Sequence, residues 1–179
     1  MTDSAGANGK SKVVTGLFKD SESVERAYAV IAERDYGTDD INVVMSDDTR
    51  RQYFSDDRQI KTELGRKVEE GGALGGPMGG KIGMLIPAII AAGVVAIPGL
   101  GLLVAGPVAV ALGAAGAAGL AVGLVGALSD WGIPEERGKQ YETGVQDGGI
   151  LMGVTPRSDE DALYFVQQWK AIGGQHVHA

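Results

Sequence analysis

The chain has 179 residues, 44% of them hydrophobic, with 29 glycines, no cysteine and a formal net charge of −7 from 23 acidic and 16 basic side chains. That length holds one ordinary domain plus an insertion. The acidic balance argues against a duplex-binding surface, and the lack of cysteine excludes disulfide staples, thiol catalysis and zinc–thiolate sites.

Residues 1–12 are small and polar, and they lack the apolar groups that would offset ordering entropy, so they read as a flexible tail. They contain no apolar h-region, and the expectation is a cytoplasmic protein. Gly9-Lys10-Ser11 matches the end of a phosphate-binding loop, but Ser4 stands where that motif needs glycine and no strand precedes it.

The first half of an α/β domain is expected over 13–56. Val13-Val14-Thr15-Gly16-Leu17-Phe18 is β-rich, and Lys19-Asp20-Ser21 can turn the chain and cap a helix. Val24, Ala27, Tyr28 and Ile31 follow at helical spacing, with Glu25, Arg26, Glu33 and Arg34 for the wet side. Tyr36-Gly37 ends that helix, and 41–45 reads as a second strand, parallel to the first and stopped by Ser46-Asp47-Asp48. Asp47, Asp48, Asp56 and Asp57 lack the spacing of a calcium loop and read as an acidic turn beside Arg50, Arg51 and Arg58. Tyr53 and Phe54 fit either an exposed partner patch or an edge strand.

Residues 57–81 form a helix and a connector, the helix carrying a stripe of Ile60, Leu64 and Val68. The connector holds a glycine ladder, Gly71, Gly75, Gly79 and Gly83, with a second at Gly72, Gly76 and Gly80. No charged side chain occurs over 82–129. Such a block has to be buried in a bilayer, in a partner chain or between the two halves of its own domain. Pro98-Gly99-Leu100-Gly101 is the natural bend, which gives a helical hairpin with arms 82–97 and 102–128, about 24 and 40 Å long at 1.5 Å per residue. The second arm is long enough for a hydrocarbon core of roughly 30 Å. Gly116, Gly119, Gly123 and Gly126 join the ladder glycines Gly71, Gly75, Gly79 and Gly83 as expected helix-packing positions, because small residues let backbones approach. No Trp, Tyr or Phe lies between Phe54 and Trp131, so an aromatic belt is missing.

The second half is expected over 130–179. Pro134 begins a helix with Glu135 and Glu136 in its first turn and Tyr141 and Val145 on one face, and Asp147-Gly148-Gly149 turns it into a strand over 149–155. Ser158-Asp159-Glu160-Asp161 has the form of a capping box, followed by a buried face of Ala162, Phe165, Val166, Trp169 and Ile172. Gly173-Gly174 stops that helix, and 175–178 can add an edge strand. The expected class is therefore α+β, a ferredoxin-like sandwich of two separated βαβ halves interrupted by a Gly/Ala-rich helical hairpin.

Reactive constellations are not indicated. His176 and His178 share a face if extended, but no third ligand accompanies them. Glu142 and Asp147 are not an acid/base pair on spacing alone, and Val104 replaces the third glycine of a dinucleotide fingerprint after Gly99-Leu100-Gly101. No catalytic residue, cofactor or metal is expected.

As an ordered set, the 13–18 strand, the helix beginning near Ser23, the 41–45 strand, the glycine-rich block, Gly132-Ile133-Pro134-Glu135-Glu136 and the 141–154 segment resemble the bacterial general stress protein family related to the heat-induced YflT-like domain. The resemblance implies a small stress-associated α/β domain with a membrane-like glycine-rich insertion, and it transfers no catalytic residue. The resulting expectation is a non-enzymatic stress-associated protein that self-associates, or attaches to membrane lipid at the inner face of a membrane with both termini on the cytoplasmic side. The alternative is a soluble homo-oligomeric structural or binding module with the hairpin buried internally.

Overall fold

The computed structural model describes residues 13–54, 94–97, 102–106, 109, 123–130 and 132–179. These residues form an α+β architecture around one sheet. In chain order the elements are β1 (Val14–Phe18), α1 (Ser21–Ala32), a 3₁₀ turn (Thr38–Asp40), β2 (Ile41–Ser46), α2 (Asp47–Phe54), β3 (Val94–Ile97), β4 (Leu102–Ala105), α3 (Gly123–Asp130), α4 (Glu135–Gln146), β5 (Ile150–Val154), α5 (Asp159–Ala171) and β6 (Gln175–His178). The strand order is β3-β4-β2-β5-β1-β6, with antiparallel neighbours throughout.

The two halves interleave. β5 from the C-terminal half lies between β1 and β2, pairing Leu17 with Leu151 on one side and Val43 with Met152 on the other. Both neighbours are antiparallel to β5, so β1 and β2 run parallel to each other, as expected, without touching.

Side-chain alternation splits each central strand between two cores. Val14 and Phe18 of β1, Ile41, Val43 and Met45 of β2, and Ile150, Met152 and Val154 of β5 face α1 and α5, where Val24, Ala27, Tyr28, Ile31, Phe165 and Trp169 complete the cluster. Leu17, Val44 and Leu151 point the other way, toward Leu124 and Leu128 of α3 and Tyr141 and Val145 of α4. With both faces covered, β1 and β5 are buried at every position. Each fully buried large apolar side chain contributes about 1.5–3 kcal/mol of transfer free energy.

The helix starts follow the sequence closely. The Asp20 carboxylate accepts from the Ser23 N–H at 2.7 Å, and the Ser158 hydroxyl accepts from the Asp161 N–H at 3.1 Å. α2 is an element that the polar composition concealed. Ser46 ends β2 but also accepts from the Thr49 N–H at 3.1 Å, so the expected stop is the cap of a new helix.

The helical hairpin expected over 82–129 is corrected at 94–97 and 102–105. Both segments are strands, paired Ile97 to Leu102 through Val94 to Ala105, and β4 continues onto β2 through Val43–Ala105 and Ser46–Leu102. The physical reason lies in composition and in the sheet. Val94, Val95, Ile97 and Val104 are β-branched, and short apolar runs cannot be assigned to helix or strand by periodicity alone. β2 offers an open edge whose backbone groups need partners. Residues 123–130 are helical as expected. The helix expected over 57–70 and the glycine-rich connector lie outside the described residues.

Candidate functional site

The greatest departure from ordinary composition is the uncharged block, and its described portion is enclosed by its own domain. Leu102, Val104, Ala105, Ala109, Leu124 and Leu128 are each 3% exposed or less. β4 extends the sheet while α3 covers its second face beside α4. No helix among the described residues is long and apolar enough to cross a membrane.

Close approach through small residues is present, at other glycines than those expected. A Cβ on Gly138 of α4 would lie 3.2 Å from Val125 Cγ1 and 3.4 Å from Val125 Cα of α3, so the two helix backbones nearly touch there. A Cβ on Gly144 would lie 2.2 Å from Leu17 Cδ2, which lets α4 settle on β1. Of the expected helix-packing positions, Gly123 and Gly126 lie in α3. Gly71, Gly75, Gly79, Gly83, Gly116 and Gly119 lie outside the described residues.

A second arrangement links the α1–β2 connection to the β5–α5 connection. The Tyr36 hydroxyl donates to Asp161 Oδ2 at 2.7 Å and accepts from the Arg157 backbone N–H at 2.6 Å. Arg34 Nη1 donates to Asp161 Oδ1 at 2.5 Å, and its guanidinium lies 4.1 Å from the centre of the Tyr164 ring. Arg157 repeats the pattern, stacking 4.1 Å from the Tyr36 ring centre and donating to Asp40 Oδ2 at 2.8 Å. The Tyr36 hydroxyl bond, followed by that of Arg34, holds the Asp161 carboxyl below its usual range. Burial pushes the Tyr36 phenol up. An ionised acceptor thus meets a neutral phenol and two fixed cations, a set whose protons are committed to holding two loops together.

A third arrangement lies where α4 crosses the β1–β6 edge. Tyr141 is fully buried, its hydroxyl 3.0 Å from the Thr15 hydroxyl and donating to the His176 carbonyl at 2.5 Å. His176 has φ +52°, and the β1–β6 register shifts between Thr15 and Leu17, so β6 is bulged and a side-chain bond takes part in holding it. Burial raises the Tyr141 phenol well away from ionising near neutral pH. Val177 completes the attachment by filling space beside Gly16 and Gly174, where added Cβ atoms would lie 3.3 and 2.9 Å from its Cγ2.

The weaker sequence candidates fall in place around these. No group of three or more potential metal-binding side chains occurs among the described residues, and His176 and His178 gather no third ligand there. Asp47 pairs with Arg50 at 3.3 Å and Arg51 at 2.5 Å, along one helix. Tyr53 is half-buried against the α1/α5 core. No protein-family model, curated protein or solved structure matches the chain.

Proposed function

We propose that the chain is a non-enzymatic structural module that self-associates, with its uncharged block built into the domain. The observation that supports this reading best is the incorporation of β3 and β4 into the sheet, which makes β3, Val94-Val95-Ala96-Ile97, an outermost strand among the described residues. A strand at a sheet edge presents backbone donors and acceptors, and a sequence without charge or proline lacks the usual protection against pairing with another copy. β6, at the opposite edge, is bulged and polar. An antiparallel edge is its own complement about a twofold axis, so a second copy satisfies it without new chemistry.

Within this reading, β2-β5-β1-β6 with α1 and α5 is a ferredoxin-like sandwich enlarged by β3, β4, α3 and α4. The polar clusters support a non-enzymatic role, since Asp161, Tyr36 and Tyr141 are each engaged in bridging elements. Stress association rests on the family resemblance of the 13–45 and 132–154 segments.

Detergent-free fractionation followed by light scattering on a sizing column tests the proposal. An assembly in the aqueous fraction that dissociates when Val95 or Ala96 is replaced by Lys is expected. Carbonate-resistant retention in membranes supports lipid attachment instead, and a wild-type monomer at all concentrations contradicts self-association.

A further inference from the structure

The β6 edge carries a concentration of positive charge in a chain whose net charge is −7. Arg137 projects from the first turn of α4, and its Nη1 is buried without a hydrogen-bond partner among the described residues. Buried guanidinium nitrogens normally find acceptors, because leaving one unsatisfied forfeits its hydration. Arg137 is also within electrostatic reach of His178, and so is Lys170 from α5. None of these three side chains enters an ion pair among the described residues, although Lys139 one turn along α4 is matched by Glu135. On the other elements packed around His178, β1 presents the uncharged Thr15 opposite it, α4 adds the neutral Tyr141, and β6 itself adds His176.

We propose that Arg137, His178 and Lys170 form a binding site for a small oxyanion at the β6 edge. The geometry supplies three converging donors of different reach. Arg137 is half-buried and held by α4, Lys170 is exposed and mobile enough to close over a ligand, and His178 keeps a solvent-exposed side on the strand between them. A guanidinium offers paired N–H donors that match the oxygens of phosphate or carboxylate, and a protonated imidazole and an ammonium complete the neutralisation. The site is separate from β3 and from the Tyr36–Asp161 cluster, so it does not depend on the self-association proposal.

The same charges make proton and anion binding reciprocal. Burial, then Arg137 and Lys170, hold the free His178 imidazole below its ordinary range. An anion seated among them favours the imidazolium, and by linkage the protonated imidazole favours the anion.

The test is an NMR titration of the full chain with inorganic phosphate, following the imidazole signals of both histidines, with sodium chloride adjusted to hold ionic strength constant. A saturable shift at His178 that exceeds the shift at His176 is expected, together with a rise in the His178 pKa. Arg137→Gln should weaken phosphate binding about tenfold, the loss of one charge-assisted hydrogen bond. Lys170→Gln, at an exposed position that leaves the fold intact, should weaken it several-fold. A linear response shared with chloride, or unaltered phosphate binding in Lys170→Gln and in folded Arg137→Gln, would overturn the site.

Discussion

Tyr36 shows how a single side chain joins the two halves of the chain. Its hydroxyl lies between Asp161, 125 residues away, and the Arg157 N–H, 121 residues away. Tyr36→Phe removes one donor and one acceptor from a nearly dry site and should destabilise the fold by about 1–2 kcal/mol in urea titration. A pH dependence accompanies this. The folded Asp161 pKa is depressed, so its stabilising contribution is fully present above the unfolded value of about 3.9 and is lost as pH falls through the lower folded value. Arg34→Gln and Tyr36→Phe should therefore flatten the acid limb of stability against pH, and an unchanged limb would remove Asp161 from that role. Gly106 gives a second residue-scale prediction. It has φ +106°, and a Cβ there would lie 2.4 Å from the Ile41 carbonyl oxygen. Gly106→Ala should cost about 1–3 kcal/mol, measured by thermal unfolding.

Among the elements, α4 depends most on small residues. Gly138 admits α3, Gly144 admits Leu17, and Gly149 lies where a Cβ would meet the Gly144 carbonyl oxygen at 2.7 Å. Gly138→Leu should drive α3 away from α4 and lower stability by about 1–3 kcal/mol, with near-ultraviolet circular dichroism reporting loosened packing around Tyr141. Gly144→Ala should be milder, since the obstruction is the end of the flexible Leu17 side chain. These positions were not legible in the sequence, because a glycine in an amphipathic helix carries no sign of what will lie against it. The elements themselves were largely legible. β1, α1, β2, α4, β5, α5 and β6 follow from alternation, helical spacing and the caps at Asp20 and Ser158. Asp161 reads locally as the acidic partner of a capping box, whereas its carboxylate is engaged by Arg34 and Tyr36, which only tertiary contact brings near. β3 and β4 were hidden by their brevity inside a uniformly apolar run.

For the whole molecule, the interleaving of two distant halves makes the inserted block a neighbour of the sheet by necessity. Its described residues act as structural filling: β4 completes the open edge of β2, and Leu124 and Leu128 cover the face that a simple two-layer sandwich would expose. That sheet also needed a second layer, since Val44, Leu151 and Leu17 point away from α1 and α5. The requirement that water be excluded from the uncharged block was legible from its composition, but the choice between lipid, partner and own domain was not, because all three bury apolar surface equally well. The most direct measurement of this account is amide hydrogen exchange on the detergent-free protein. Protection of 102–105 comparable to that of β2 and β5 is the predicted result, since these amides belong to one ladder. Rapid exchange across 94–105 while β1, β2 and β5 remain protected would contradict it.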